Sequence, residues 1–343
     1  MEIELPANAW KDLRRFLSLL LVDLPQNLPR ISCADWVFIG NRTDIRDVKH
    51  SPPSVRVNSE WSSDIAVLDA FPFLARRMLR HVLREWPIDL KSAPVFSSRP
   101  DVSVIIPFRG RGRLPLLEAV VRSVGTQQNT AVECIVVEQS PEQEVFSLPG
   151  DPIQLHVRGL NGDLRWNKCL AFNEGARVAS GKVLILQDAD IPLPANYCAE
   201  ALRQLDGSQL EVCFLQRFLF YLTMRTTSQL LSSGDWSSFE VERVNQNFVG
   251  GTVAITRDAF RYIGGFDPRF TGWTGEDREF FDRSLILNGC WHGRIPFVHL
   301  WHEPAPGRVD ASVRDCPEEF VEAVLKEPRE LRAARLSGSF ASV

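Results

Sequence analysis

Several features that define other classes of protein are missing from this 343-residue sequence. The best apolar run near the N-terminus, Phe16 to Val22, is far short of the roughly 20 residues that a membrane span needs. That run is not followed by a small-residue cleavage site, so we interpret residues 10–23 as an amphipathic helix and not as a signal peptide. The sequence also lacks an excess of basic residues, since it has 39 Lys and Arg residues and 43 Asp and Glu residues. A whole-protein surface for nucleic acid is therefore excluded.

Paired cysteines are missing as well. The sequence has seven cysteines, an odd number, and no two have CxxC spacing, which argues against a disulfide framework or a zinc ribbon. Cys134 and Cys213 lie in apolar runs and are expected to be small core residues. We therefore expect a reducing, cytoplasmic location. No internal repeat is found.

What the sequence does contain, from Asp101 onwards, is an alternation of strand and helix patterns. The pattern predicts βαβ units and an α/β fold whose mostly parallel sheet is flanked by helices. Sheets of this type bind ligands at the carboxyl ends of their strands. Pro107 is expected to stop the first strand, and Gly181 to cap the second helix. The predicted strands are 102–106, 133–137, 153–157 and 182–186, and the predicted helices are 114–124 and 167–179.

Composition divides the chain into three parts. Residues 1–98 are rich in Pro, Trp and Arg and are expected to form a partly helical N-terminal extension, which includes a short strand at 35–40. A helical pattern within it, at 64–86, is interrupted by Pro72. We assign residues 99–310 to the α/β domain and residues 311–343 to a C-terminal helical tail.

Charged residues follow two of the predicted strands. Asp188 and Asp190 come directly after the fourth strand, where a divalent cation such as Mg²⁺ or Mn²⁺ would relieve their mutual repulsion; the alternative is a pair of turn carboxylates. Arg109 and Arg111 lie on a glycine-containing loop after the first strand and suit an anionic ligand. A solvated basic loop is the alternative for that pair.

The C-terminal half adds three further patterns. Gly250 and Gly251 indicate a bend or the close approach of a ligand. Glu276 and Asp277 begin a predicted helix that extends to about residue 288; they could form a general base at the mouth of a site or could simply favour the helix dipole. Trp273 beside them would suit a sugar ring. His299 and His302, three residues apart at the end of an apolar run, are candidate metal ligands.

Taken in order, these motifs amount to a family signature. From about residue 102 to 304 the chain resembles the GT-A glycosyltransferases, whose fold is a Rossmann-like nucleotide-diphospho-sugar transferase fold. In particular it resembles family 2 enzymes with a galactosyltransferase-type C-terminal region, such as β-1,4-galactosyltransferases, chondroitin polymerases and polypeptide N-acetylgalactosaminyltransferases. The motifs that carry the resemblance are Pro107-Phe-Arg-Gly-Arg111, Asp188-Ala-Asp190, Phe248-Val-Gly-Gly251, Gly272-Trp-Thr-Gly-Glu-Asp277 and His299-Leu-Trp-His302.

The resemblance implies an enzyme, a hexosyltransferase that uses a UDP-sugar donor and Mn²⁺ or Mg²⁺. It implies Asp277 as the catalytic base, with Glu276 holding the acceptor or donor sugar. It implies that Asp190 binds the metal directly, that Asp188 contacts the ribose or the metal shell, and that His302, with or without His299, completes the metal site. The residues implied in donor binding are Pro107, Phe108, Arg109, Arg111, Glu138, Arg165, Lys168, Asp188, Gly250, Gly251 and Trp273.

The sequence also departs from the galactosyltransferase motif Gly-Gly-Glu-Asp-Asp. Thr274 replaces a glycine and Arg278 replaces the last acid, which opens the question of donor-sugar and acceptor specificity. The sequence leaves the acceptor open among a glycan, a lipid-linked sugar, a peptide and a small metabolite. It predicts no nucleic-acid partner and no transmembrane segment, and leaves peripheral membrane contact open.

One base and one in-line displacement imply inversion at the anomeric carbon. Two other functions remain as alternatives. One is a non-catalytic module that binds a nucleotide or a sugar, and the other is a nucleotidyltransferase, which would release pyrophosphate where a glycosyltransferase releases a nucleoside diphosphate.

Overall fold

The computed structural model describes residues 42–51, 54–61, 72–246, 248–272, 275–291, 295–304 and 316–341. The helix predicted at 10–23 and the strand predicted at 35–40 lie outside these ranges, as does Trp273. The helical pattern predicted at 64–86 is described from residue 72, where a helix starts. Proline suits the first turn of a helix because the N–H that it lacks has no partner there.

Within the described ranges, nine strands form the central sheet, in the order β1-β2-β11-β7-β10-β6-β3-β4-β5. Strands β6, β3, β4 and β5, which are adjacent in this order, run parallel to one another, and β10 is antiparallel to both β6 and β7. The predicted α/β class with a mostly parallel sheet is confirmed. The strands are β1 (Arg42–Ser51), β2 (Ser54–Trp61), β3 (Val102–Phe108), β4 (Val132–Gln139), β5 (Ile153–Val157), β6 (Val183–Gln187), β7 (Val212–Cys213), β10 (Thr252–Thr256) and β11 (Gly289–Trp291).

Helices cover both faces of this sheet. Successive residues of β3 point to opposite faces: Val104 and Ile106 join one buried apolar cluster, and Ile105 joins the other. Both faces are therefore dry, which explains why the strands are almost continuously apolar. The helices are α1 (Pro72–Glu85), α2 (Leu114–Gly125), α3 (Lys168–Val178), α4 (Tyr197–Leu205), α5 (Met224–Ser233), α6 (Arg257–Tyr262), α7 (Glu276–Ser284), α8 (Glu318–Lys326) and α9 (Arg329–Ala341).

A second sheet of three strands lies beside the first, in the order β12-β8-β9. Its strands are β8 (Gln216–Leu222), β9 (Val241–Gln246) and β12 (Ile295–His299). A third apolar cluster packs residues of α1 and α5 against this sheet. The N-terminal extension is therefore attached to the α/β domain through α1, and the hairpin β1–β2 extends the central sheet by pairing with β11. The sequence patterns did not predict that hairpin.

Two expectations about local structure were wrong. Strand β3 does not stop at Pro107 but continues to Phe108, because β6 pairs with β3 only as far as Ile105 and Pro107 pairs with β4 alone. The missing N–H of Pro107 therefore costs no ladder bond on the β6 side. Helix α3 ends at Val178 with Ala179 as its cap, before Gly181. Gly181 instead donates its N–H to Ser103 Oγ at 2.8 Å, and a Cβ at position 181 would lie 2.7 Å from Ser103 N.

Helices α8 and α9 pack against α7, which begins at the edge of the cleft described below. Val321 of α8 lies so close to Gly275 that a Cβ at position 275 would be 2.6 Å from Val321 Cγ1. The predicted helical tail is thus joined to the α/β domain by close packing. Across the described ranges, none of the helices has the length and apolar character required to span a bilayer.

Candidate active site

A cleft of about 1410 Å³ opens at the carboxyl ends of the strands β3 and β6. This is the edge where the sequence analysis placed the ligand. The loop before β10, the start of α7 and the residues that follow β12 also line the cleft. The predicted site residues that line it are Pro107, Phe108, Arg109, Lys168, Asp188, Asp190, Gly250, Gly251, Glu276, Asp277, His299 and His302.

Asp190, His299 and His302 form a cluster that could hold a metal ion, since one ligand atom from each lies within 4.8 Å of the others. His302 Nε2 is 3.0 Å from Asp190 Oδ2, and His299 Nε2 is 3.9 Å from Asp190 Oδ1. A backbone hydrogen bond joins the two segments: Leu300 N donates to Asp190 O at 2.9 Å. The end of β12 is thereby fixed beside the end of β6, although the two histidines are more than 100 positions away from Asp190 in the sequence.

The chemistry of these three residues fits a divalent cation. Asp190 Oδ1 is buried and has no hydrogen-bond partner, as expected of an oxygen that awaits a ligand. His302 Nδ1 lies 2.7 Å from the carbonyl oxygen of Glu303. In the tautomer that donates the Nδ1 proton there, the lone pair of Nε2 faces the Asp190 carboxylate, and a cation bound between the two would make that arrangement favourable. Two imidazoles with one carboxylate suit a transition ion such as Mn²⁺ better than Mg²⁺, which prefers oxygen ligands.

Lys168, at the start of α3, is surrounded by the acidic residues of the cleft. Its Nζ lies 2.8 Å from Asp188 Oδ1, 3.2 Å from Asp277 Oδ1 and 3.8 Å from Glu276 Oε1. Asn167 caps α3 by accepting a hydrogen bond from Leu170 N, which fixes the first turn that carries Lys168. One ammonium group therefore faces three carboxylates, and this part of the cleft is negatively charged.

Burial and mutual repulsion change the protonation of this acidic group. Burial and the nearby Asp277 raise the pKa of Glu276 to about 8, and burial raises the pKa of Asp188 to about 6. Burial would lower the pKa of Lys168, but Asp188, Asp277 and Glu276 together raise it well above its usual value. In the metal cluster, burial opposes ionisation of Asp190, yet its histidine and arginine neighbours hold its pKa well below its usual value. Asp190 is therefore ionised and able to bind a cation at neutral pH.

The glycines before β10 make room for Asp277 and shape the cleft wall. A Cβ at Gly250 would lie 2.3 Å from Asp277 Oδ2, so Gly250 is required for the observed position of the carboxylate. Gly251 has a φ of +86° and accepts a hydrogen bond from Asp188 N at 2.9 Å. The two glycines thus connect the acidic segment after β6 with the acidic start of α7.

Three predicted donor-binding residues do not line the cleft. Arg111 is exposed, and its backbone N–H donates to Glu144 Oε2. Arg165 pairs with Asp163 through its guanidinium. The buried carboxylate of Glu138 accepts hydrogen bonds from the backbone of Glu144 and the neighbouring Val145 at 2.7 and 3.0 Å, which shapes the loop after β4. Trp273 lies outside the described residues.

Arg113 does line the cleft, and the sequence analysis did not select it. Its Nη2 lies 3.0 Å from His302 Nδ1, and its Nη1 lies 3.9 Å from Asp190 Oδ2. The arginine-rich motif after β3 was the available signal, but a loop sequence does not reveal which of its arginines faces inward.

Two protein-family models match parts of this chain. Residues 103–263 match the model of glycosyl transferase family 2, and residues 235–300 match a model described as the N-terminal domain of galactosyltransferase. The two matches overlap and together cover more than half of the chain. Over residues 103–263 the chain therefore resembles glycosyltransferase family 2. The resemblance inferred from the ordered motifs is thereby confirmed.

The individual relatives of this chain are distant from it in sequence. A polypeptide N-acetylgalactosaminyltransferase 13 of Drosophila melanogaster is 25% identical over 55% of this chain and 39% of its own length. The chondroitin synthase of Escherichia coli is 31% identical over 23% of this chain and 12% of its own length. This chain thus covers less than half of the length of these curated relatives. Among solved structures, a Drosophila β1,4-galactosyltransferase 7 in complex with manganese, UDP-Gal and xylobiose aligns with a TM-score of 0.39 and 18% identity, over 66% of this chain and 79% of that chain.

Proposed function

We propose that this protein is a glycosyltransferase that transfers a hexose or N-acetylhexosamine from a UDP-sugar to an acceptor hydroxyl, with inversion of the anomeric centre. One observation carries the proposal: the Asp190–His299–His302 cluster and the Asp277 carboxylate line the same cleft at the carboxyl edge of the sheet. A metal-assisted leaving group and a general base are the two parts that such a transfer needs. The choice of uridine follows from the resemblance to galactosyltransferase-type enzymes.

Asp190, His299 and His302 would hold the cation, and Mn²⁺ suits these ligands best. When bound, the cation would stabilise the negative charge on the departing diphosphate. Asp188 would contact the ribose, because its carboxylate is paired with Lys168 and lies outside the three-residue cluster. The Glu303 carbonyl oxygen lies 2.7 Å from His302 Nδ1 and would orient the ring for this role by accepting the Nδ1 proton.

Asp277 is the base in this proposal. Its carboxylate is 31% exposed and lies at the cleft wall, where an incoming hydroxyl can reach it. The ammonium group of Lys168 lies 3.2 Å from Asp277 Oδ1 and holds the carboxylate at the cleft wall. Glu276, whose pKa burial and Asp277 raise to about 8, is protonated at neutral pH and can donate a hydrogen bond to a sugar oxygen. The adjacent acids would thus have different tasks, one as a base and one as a donor.

Hydrolysis of a glycoside fits the cleft less well than transfer. A glycosidase needs an acid and a second carboxylate that face one another across the scissile bond. Glu276 and Asp277 are neighbours on the first turn of α7 and both approach the same lysine, so they do not straddle a substrate. A single base next to a leaving-group site favours one in-line displacement, and therefore inversion.

The experiment is incubation of the full chain with a panel of nucleotide sugars, Mn²⁺ and a set of glycan, lipid-linked, peptide and small-molecule acceptors. We expect release of a nucleoside diphosphate, loss of that release in EDTA, and a product of inverted configuration by NMR. Release of pyrophosphate would indicate a nucleotidyltransferase, and Mn²⁺-dependent binding without turnover on any acceptor would indicate a binding module. A product of retained configuration would contradict the single-displacement mechanism.

A further inference from the structure

Arg113 stands out among the arginines that follow β3, because its side chain reaches the proposed metal ligands. It is the last residue of a short 3₁₀ turn, Arg111–Arg113, and its backbone N–H donates to Gly110 O at 2.9 Å. This turn sends Arg111 outward and Arg113 into the cleft. The Arg113 side chain is 39% exposed, so its guanidinium is held at the cleft wall and remains accessible to a ligand.

The hydrogen-bond partners of Arg113 engage only some of the N–H donors of its guanidinium group. A guanidinium group has five N–H donors, whereas Arg113 has His302 Nδ1 at 3.0 Å and the Glu303 carbonyl oxygen at 3.4 Å. The only acid within ion-pair distance in the described residues, Asp190, is 3.9 Å away and also pairs with His302. Arg109, the other arginine of the loop that lines the cleft, already donates to Leu164 O and approaches Gln139 Oε1.

If His302 binds a metal through Nε2, Arg113 loses its hydrogen bond to His302 Nδ1. With Nε2 as a metal ligand, the ring proton would reside on Nδ1 and be donated to Glu303 O, so Nδ1 would no longer accept a hydrogen bond from Arg113. The guanidinium then needs a new acceptor within reach of the metal cluster. Diphosphate oxygens suit it, because the planar fork of arginine forms paired hydrogen bonds with phosphate oxygens.

We propose that Arg113 binds the diphosphate of the donor, beside the metal ligands, and stabilises the leaving group during transfer. This assignment rests on the proposed function and adds to it a residue that specifies the diphosphate portion of the donor. It predicts that Arg113 distinguishes a nucleoside diphosphate from a nucleoside monophosphate, because the second phosphate would offer the guanidinium additional oxygens to bind.

The test is calorimetry on the full chain and on the Arg113→Gln and Arg113→Lys variants, with UDP, UMP, GDP and GMP as ligands in the presence of Mn²⁺. We expect the wild-type protein to prefer diphosphates, and Arg113→Gln to lose at least about tenfold in diphosphate affinity, the loss expected of a charged hydrogen bond, while monophosphate affinity stays within threefold. Arg113→Lys should recover part of the loss, because lysine keeps the charge and lacks the fork. Arg225→Gln, an exposed arginine on α5, is the matched control for removal of one positive charge.

Binding of Mn²⁺ alone separates the proposal from a positioning role. If Arg113 only orients His302, the affinity of Arg113→Gln for Mn²⁺ without nucleotide will fall in parallel with its UDP affinity, and the assignment will be overturned. Equal losses for UDP and UMP, or a UDP affinity within threefold of wild type, would also overturn it. A wild-type protein that prefers no diphosphate over the corresponding monophosphate would instead contradict the proposed function itself.

Discussion

Helix α7 carries two groups of charged residues with opposite properties. At its N-terminus, Glu276 and Asp277 join Asp188 around Lys168, so that three carboxylates share one ammonium group. We call this the acidic cluster. Further along, Glu279, Asp282 and Arg283 join Arg329 and Arg332 of α9, so that two acids meet three arginines. We call this the arginine cluster.

The two clusters differ in how completely their charged groups are paired and hydrogen-bonded. In the arginine cluster, Glu279 is fully buried, and both of its carboxylate oxygens accept hydrogen bonds from Arg283 at 2.8 Å, with a third from Arg332. In the acidic cluster, Asp188 and Asp277 remain 27% and 31% exposed, and Glu276 has its pKa raised to about 8. A cluster that only holds helices together has every charge satisfied, whereas a cluster with excess charge at a cleft points to a ligand.

The largest expected effect lies next to the acidic cluster, at the proposed metal ligand. Asp190→Ala should reduce UDP affinity in Mn²⁺ to the level measured in EDTA, because the cation loses its carboxylate ligand. Calorimetry with and without Mn²⁺ gives the comparison, and circular dichroism verifies the fold. Asp206→Asn, which removes an exposed carboxylate paired with Lys182, is the control. If Asp190→Ala retained the full Mn²⁺ effect, the metal site would be elsewhere.

Asp277→Asn should lower the rate of transfer by about 10²–10⁴-fold, since asparagine cannot accept the proton of the acceptor hydroxyl. Donor affinity should change little, because Asp190, the histidines and the arginines of the cleft are intact. The measurements are single-turnover rates and donor affinity, with Asp258→Asn, an acidic residue in the first turn of α6, as the matched control. A variant that transfers within a few-fold of wild type would show that Asp277 serves the helix N-terminus and not the chemistry.

The arginine cluster should respond in the opposite way. Arg332→Met leaves the buried Glu279 with one arginine and should lower the free energy of unfolding by about 3–5 kcal/mol. The rate of transfer per folded molecule should stay near that of wild type. Urea denaturation and activity at low temperature measure the two quantities. Arg335→Met on the same helix, where the pair with Glu327 is exposed, should cost less than about 1 kcal/mol.

The smallest expected effect is on the pH dependence of stability. Because the pKa of Glu276 is raised from 4.5 to about 8, the folded state holds a proton that the unfolded chain releases. Stability should therefore fall as the pH rises through this window. Glu276→Gln, which resembles the protonated acid, should flatten the curve.

Denaturation of the metal-free protein at a series of pH values measures this slope. Lys168 stays charged throughout the window, so it adds no slope, whereas Asp188 contributes in the same direction in both proteins. The difference between the two curves therefore isolates Glu276. Identical slopes in wild type and Glu276→Gln would contradict the raised pKa.

Much of the fold followed from local pattern. The strand 153–157 was predicted with the bounds that β5 has, and the helix predicted at 114–124 differs from α2 by one residue at its end. Such patterns are informative because burial on both faces demands continuous apolar runs in parallel strands. The hairpin β1–β2 escaped prediction, because its strands lack such a run and their assignment depends on pairing with β11, more than 200 residues away.

The amino-acid sequence by itself determined the α/β class and the order of the motifs. It also determined that Asp188, Asp190 and His302 end apolar runs and that Asp277 begins a helix, because these features depend on residues close together in the chain. Tertiary structure alone decided which side chains meet. The bond from Leu300 N to Asp190 O sets β12 beside β6, and the 3₁₀ turn after β3 directs Arg113, and not Arg111, into the cleft. Contacts of this kind depend on backbone direction over distant segments, and no local pattern of residues encodes them.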